Sequence, residues 1–210
     1  MIERGLLIVI SGPSGAGKGT LCKALLEKNK GLSLSISMTT RTPRKGEIDG
    51  VNYFFRDRQT FEKMINNNEF LEYARVYDNY YGTPRKYVED IISKGKDVIL
   101  EIDIQGALKV KEIYDKGVFI FILPPSMEEL RNRIKKRGSE TEESFLKRFK
   151  AAYREINYIS KYNYVVVNDT IENSVKKLES IIIAEKCRID RYKDNFLRTK
   201  EGLLHERFYD

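Results

Sequence analysis

A run of aliphatic residues that ends in a glycine-rich loop constrains this chain more than any other feature. Leu6–Ile10 reads Leu-Leu-Ile-Val-Ile, the pattern of a strand buried on both faces of a parallel sheet. Gly12-Pro13-Ser14-Gly15-Ala16-Gly17-Lys18 follows and fits Gly-x-x-x-x-Gly-Lys. Beyond it, Leu21, Ala24 and Leu25 recur at helical spacing within Thr20–Lys28. Strand, glycine-rich loop and helix in that order predict a phosphate-binding loop. The glycines let successive N–H groups point into a concave nest. The helix N-terminus adds partial positive charge, and Lys18 supplies a point charge for the outer phosphates. Ser14, Gly15, Ala16, Gly17, Lys18, Gly19 and Thr20 are the residues expected around the donor nucleotide. Gly19 stands between Lys18 and Thr20, so the hydroxyl expected near a metal ion is one residue later than in the general motif.

The rest of the chain supports an α/β fold. Asp97–Ile102, Val118–Leu123 and Tyr164–Val167 read as further parallel-type strands. Helical patterns cover Gln105–Tyr114, Ser126–Lys136, Glu142–Ile159 and Ile171–Arg191. Ser126 with Glu129 predicts a capping box. This alternation argues for a three-layer architecture around a central parallel sheet. Leu32–Ile92 breaks the rhythm. It is rich in Tyr and Phe, with strand-like pieces at Leu34–Ser37 and Tyr53–Phe55 and a helix near Gln59–Asn66, and it reads as an inserted mixed lobe.

Composition removes whole classes of chemistry. His205 is the only histidine and sits near the C-terminus, which argues against a histidine base or a His-rich metal site. Cys22 and Cys187 are far apart and neither belongs to a CxxC pair, so neither a disulfide framework nor a zinc site is expected. The net charge of +7 calls for anionic partners. Nucleic acid and nucleotide phosphates are both candidates. The basic residues recur inside helices and loops and form no separate arm, which favours a folded site. Nucleic acid would explain the charge but none of the motif spacing. No apolar run is long enough for a membrane span or a signal segment, and the chain is read as cytoplasmic with no membrane partner. A homo-oligomer is left open.

A phosphate loop identifies a donor but not an acceptor. The acceptor signal lies in the inserted lobe: Ser37-Met38-Thr39-Thr40-Arg41-Thr42-Pro43-Arg44, then Gly46-Glu47 and Gly50-Val51-Asn52-Tyr53, then Glu69-Phe70-Leu71-Glu72, then Asn79-Tyr80-Tyr81-Gly82-Thr83. Arg41 and Arg44, on a loop stiffened by Pro43, suit a phosphate because each planar fork pairs two oxygens. Taken singly, each arginine reads as a solvated charge, Tyr53 and Tyr81 as packing residues, and Glu72 as a surface acid. Their shared order with the phosphate loop changes that reading. From about Leu6 to Glu185 the chain resembles the guanylate kinase family. The resemblance rests on these segments together with Glu101-Ile102-Asp103, Pro124-Pro125-Ser126, Arg137-Gly138 and Val167-Asn168-Asp169.

The resemblance implies transfer of the terminal phosphoryl group of ATP to GMP, with dGMP as a further acceptor and Mg2+ accompanying ATP. It implies that Arg41, Arg44, Tyr53 and Tyr81 hold the GMP phosphate while Ser37, Glu72, Thr83 and Asp103 surround guanine. Guanine's ring N–H and exocyclic amine are adjacent donors, which one carboxylate can accept together. Adenine lacks that pair and would leave a buried acid unmatched. Glu101 stands where the family usually has Asp and is implied to reach Mg2+ through water, beside Thr20. Arg133, Arg137 and Arg148 are implied to form a lid that neutralises the phosphoryl group in flight, and Asn168 to touch adenine. The implied organisation is a core at 1–33 carrying the loop, an acceptor lobe at 34–92, core at 93–125, a lid at 126–160, and core with a C-terminal helix and tail at 161–210. Two rivals remain: a catalytically silent guanylate-kinase-like binding module, and a P-loop kinase with another phosphate acceptor. The intact Lys18 and loop glycines count against the first; Arg41, Arg44, Glu72 and Asp103 count against the second.

Overall fold

A computed structural model describes residues 4–76, 78–136 and 142–191. In chain order these form β1 (Leu7–Ser11), α1 (Lys18–Lys28), β2 (Leu32–Leu34), β3 (Met38–Thr39), β4 (Phe54–Phe55), α2 (Arg58–Asn66), β5 (Phe70–Val76) and β6 (Asn79–Pro84). They continue with α3 (Arg85–Ser93), β7 (Asp97–Glu101), α4 (Ile104–Ile113), β8 (Val118–Leu123), α5 (Met127–Lys136), α6 (Glu142–Glu155), β9 (Tyr164–Val167) and α7 (Ile171–Lys186).

The central sheet runs β2-β7-β1-β8-β9, and every pairing in it is parallel. Its inner strands are apolar along most of their length, Leu7–Ile10, Val98–Leu100 and Val118–Leu123, because helices cover both faces. On one face, Leu21 and Leu25 of α1 pack with Val175, Leu178 and Ile182 of α7 over Ile8, Ile10 and Ile120. On the other, Val88 and Ile92 of α3 and Ala107 and Val110 of α4 cover Leu7, Val9 and Leu100. The register pairs Ile10 with Glu101 and Leu123 with Val167. Gly12, Glu101 and Asn168 therefore leave the sheet at one edge, the carboxyl ends of the strands, where open α/β sheets bind ligands.

The second sheet, β4-β3-β6-β5, carries the acceptor motifs. Met38, Phe61 and Phe70 form its own small core, with Phe61 stacked on Phe70 and Tyr80 at centroid distances of 4.4 and 5.3 Å. Leu71 points the other way, into the main core. Strand β5 is thus anchored on both faces, which fixes Glu72 beside Leu71.

The elements differ from expectation in a few places. Leu34–Ser37 does not form a strand of the lobe; Leu32–Leu34 instead pairs with β7 at the edge of the central sheet, and the lobe strand begins at Met38. Helix α1 starts at Lys18, two residues early, because Gly17 at φ +91° serves as its N-cap. Only the serine half of the capping box forms: Ser126 Oγ accepts from the Glu129 N–H at 3.0 Å, while the Glu129 carboxylate pairs with Arg133. The long helix expected to Ile159 ends at Glu155, and Ile156–Lys161 tightens into a 3₁₀ turn, where Ile, Asn and Tyr are poorer helix formers. Helix α7 stops at Lys186, short of Arg191, whose guanidinium folds back onto the buried Glu185 at 2.7 Å. Both cysteines are free thiols, and burial pushes that of Cys22 up.

Candidate active site

The phosphate loop is held open from several directions. Lys18 Nζ donates to the carbonyls of Gly12 and Pro13 at 2.6 and 3.3 Å, so the ammonium lies inside the loop's own curve. Gly12 passes so close to β8 that a Cβ would stand 2.3 Å from the Ile122 carbonyl oxygen. Asn168 is buried and donates through Nδ2 to the Ala16 carbonyl at 2.7 Å. Its side chain blocks a Cβ on Gly17, at 2.4 Å. The loop N–H groups are thereby presented at the N-terminus of α1, as an anion site requires.

Arginines of the helical region reach this loop. Arg133 donates to the Asn168 carbonyl at 3.3 Å and to that of Ala16 at 3.5 Å, and its Nε pairs with Glu129 at 2.8 Å. Arg148 Nη2 donates to Ser14 Oγ at 2.9 Å. Arg137, expected beside them, lies outside the described residues. The Ser14 N–H also donates to Glu155 at 3.4 Å, a contact with no sequence signal, because Glu155 is one acid among several on a charged helix. Glu101 ends β7 with its carboxylate about one van der Waals contact from Gly19: a Cβ there would meet Oε1 at 3.3 Å. Thr20, in the first turn of α1, is exposed. One carboxylate and one hydroxyl are hard oxygen donors. They suit Mg2+ carried on substrate phosphates with several of its waters retained, and would be too few for an all-protein cage. No cluster of three or more His, Cys, Asp or Glu side chains fit for a metal occurs among the described residues.

Strand pairing assembles the acceptor residues. Thr39 opposes both Tyr81 and Phe55, and Glu72 opposes Thr83, where a register shift between Phe70 and Glu72 interrupts the ladder. Thr83 Oγ1 donates to Glu72 Oε1 at 2.6 Å. Glu72 Oε2 faces the start of α4, where a Cβ on Gly106 would come within 3.1 Å, and Asp103 caps that helix by accepting from the Gly106 N–H at 2.7 Å. Burial raises the Glu72 pKa, and the neighbouring Asp103 charge raises it further, against the Thr83 hydrogen bond. Ser37 sits where its carbonyl accepts from the Phe54 N–H at 2.9 Å. A cavity of ≈ 140 Å³ joins the lobe to the core, with Ser37, Tyr53 and Thr83 on one side and Leu100, Glu101 and Ile102 on the other.

Arg41 lies over the rings of Tyr53 and Phe55, 5.5 and 5.7 Å from their centroids. Tyr53 and Tyr81 meet edge to face at 6.1 Å. Arg44 is exposed on the adjoining turn. The structure thus brings Ser37, Arg41, Tyr53, Glu72, Tyr81, Thr83 and Asp103 to one region. Glu47, which the sequence offers only as part of the Gly46-Glu47 motif, touches both arginines. The signal that points to it is its setting: the first acid after two arginines, on the loop that leads to Tyr53.

The whole chain is similar to proteins of one family. The family model described as "Guanylate kinase" matches residues 4–185. The guanylate kinase of Clostridium tetani is 65% identical over 209 residues, covering 100% of both chains. That of Clostridium perfringens strain 13 is 66% identical over 208 residues, covering 99% of this chain and 96% of its own. The crystal structure of guanylate kinase from Anaplasma phagocytophilum superposes with a TM-score of 0.71 at 39% identity, covering 90% of each chain.

Proposed function

The chain belongs to the guanylate kinase family, and from that premise we propose how its own residues divide the transfer of the terminal phosphoryl group of ATP to GMP. The observation that carries the assignment is the cavity shared by the two sheets. It opens between Tyr53 and Thr83 of the lobe and Glu101 of the core, so an acceptor seated there faces the edge that carries the phosphate loop.

The loop N–H groups and Lys18 hold the phosphates of ATP, with Ser14, Gly15, Ala16, Gly17, Gly19 and Thr20 forming the nest. Lys18 exchanges its loop carbonyls for phosphate oxygens. Thr20 and Glu101 are the side chains that would hold Mg2+, Glu101 by way of water, and the ion would supply charge neutralisation. Asn168 braces the loop and borders the adenine side.

Guanine lies against Glu72, Thr83, Asp103 and Ser37. The Thr83 hydrogen bond fixes one Glu72 oxygen, so the carboxylate is already turned for two donors before GMP arrives. Arg41, Arg44, Tyr53 and Tyr81 take the GMP phosphate. In phosphoryl transfer the protein contributes position and charge far more than covalent chemistry. Arg133 and Arg148 approach the loop and, with Arg137, stabilise the charge spread over the outer oxygens of the transferred group. Closing the site also keeps water from competing as acceptor. An intact loop and a formed acceptor pocket speak against a silent binding module. The deciding experiment is an ADP-release assay with ATP, Mg2+ and a panel of monophosphates. Turnover confined to GMP and dGMP is expected; equal turnover with AMP or UMP would overturn the acceptor assignment.

A further inference from the structure

We propose that Glu47 is a positioning residue that holds both phosphate-binding arginines of the lobe through a single carboxylate. Glu47 Oε2 accepts from Arg41 Nη1 at 2.9 Å and from the Arg44 backbone N–H at 2.7 Å, while Oε1 accepts from Arg41 Nη2 at 2.9 Å. The Glu47 N–H donates back to the Arg44 carbonyl at 3.0 Å, closing residues 44–47 into a turn. Arg41 is therefore held against the neighbouring rings of Tyr53 and Phe55 on one side and along one edge by Glu47.

A guanidinium carries five N–H groups in a rigid fork. Glu47 takes the end-on pair, and the Thr42 carbonyl accepts from Nη1 at 2.7 Å. The side-on edge, Nε–H with the second Nη2 hydrogen, is not used by these contacts and has the bidentate geometry that a phosphate needs. Tyr53, which Arg41 overlies, meets Tyr81 edge to face at 6.1 Å, so both tyrosines stand beside the fork. The Arg41 side chain is 15% exposed and that of Glu47 19%, so the pair is sheltered enough to keep its geometry. Arg41 and the Arg44 N–H hold the Glu47 carboxyl below its ordinary range.

Two effects of this carboxylate oppose each other. Its negative charge subtracts from the attraction between Arg41 and phosphate. Its hydrogen bonds remove rotamer freedom that a long arginine would otherwise lose on binding. The proposal is that the second effect wins, and the sign of the mutational change decides it.

This inference rests on the reading of Arg41 and Arg44 as ligands of the GMP phosphate. The test compares GMP with guanosine, which lacks the phosphate and is measured as a competitive inhibitor. Glu47→Gln is expected to lower kcat/KM for GMP by about 10–50-fold, mainly through KM, with guanosine inhibition and KM for ATP changed by less than about twofold. Glu47→Asp should recover part of the loss. Unchanged or improved GMP use, or guanosine weakened by the same factor, overturns the proposal. Arg41→Met, run in parallel, should also lose GMP selectively over guanosine. If it does not, the arginine clamp itself falls; if it does while Glu47→Gln is silent, only the role of Glu47 falls.

Discussion

In the proposed reading, the groups that meet phosphate at the loop are main-chain N–H groups on a fixed path, whereas in the lobe they are tips of side chains on β6 and on the loop that follows a strand as short as Met38–Thr39. The loop is set between β1 and α1, whose apolar residues are almost wholly buried in the main core. The lobe sheet rests on a core of three buried side chains, Met38, Phe61 and Phe70. The donor half therefore inherits its rigidity from the whole domain. The acceptor half borrows from that core only where Leu71 anchors β5, and otherwise relies on local hydrogen bonds such as Thr83 to Glu72 and Arg41 to Glu47. Precision by backbone tolerates few substitutions; precision by side chains can be tuned one residue at a time.

The largest expected effect falls on the backbone half. Lys18→Met should lower kcat by about 10³-fold or more, because the charge meeting the outer phosphates is lost where charge stabilisation dominates. Thermal melting of the unliganded protein should hardly move, and near-normal turnover would break the comparison. Next comes Glu72→Gln, in which an amide donor faces a guanine donor. The loss in kcat/KM for GMP should be on the order of 2–4 kcal/mol, with KM for ATP steady.

Glu72 also carries a pH signature. Its pKa is raised by burial, and guanine needs the ionised form, so KM for GMP should rise as pH falls through that raised value. The same burial makes ionisation costly in the empty protein. The unliganded fold should lose stability as pH rises from the ordinary carboxylate value of 4.5 through the raised one. Glu72→Gln should abolish both trends; titration of KM and of the melting temperature in the two proteins checks them together.

A smaller change is expected from Arg148→Met, which removes the donor to Ser14. We expect kcat to fall about 10²-fold, while GMP affinity measured without ATP moves by less than about threefold. Weakened GMP binding with intact kcat would transfer this arginine to the acceptor half. The smallest effect should come from Phe61→Leu, on the order of 1 kcal/mol in stability. If the lobe depends on its own core, KM for GMP should rise several-fold more than KM for ATP, and hydrogen exchange should quicken in β3 and β6 before β1.

The same contrast governs how much of the molecule is legible in its amino-acid sequence. The phosphate loop is legible because strand, glycines and lysine are contiguous from Leu6 to Lys18, and each carries its physical reason locally. The inner strands of the central sheet are nearly so, since Val98–Leu100 and Val118–Leu123 are apolar without interruption. The edge strand Leu32–Leu34 is not, because three residues with a serine in the middle are too few to show a period. In the lobe, periodicity assigns no strand or helix to β5, β6 or α3, although acceptor motifs run through both strands. Glu72 and Thr83 meet only through an antiparallel ladder with a register shift, and no spacing in the sequence encodes a shift. The tie between Asn168 and Ala16 spans 152 positions, and Glu155 reaches Ser14 across 141; such pairings exist only once the sheet order is known.

Gly12 and Gly17 look alike in sequence, yet they close off mutation in different ways. Both hold positive φ, at +145° and +91°, so any side chain is strained at either. At Gly12 the obstacle to a Cβ is a main-chain carbonyl of β8, which every residue at position 122 possesses. No second substitution elsewhere can clear it. At Gly17 the obstacle is the amide of Asn168, which a smaller residue at 168 would remove. A library that varies 17 and 168 together therefore has a narrow path open to it, with the backbone strain and the lost Asn168–Ala16 hydrogen bond to absorb. One that varies 12 has none, however many partners are allowed to change with it.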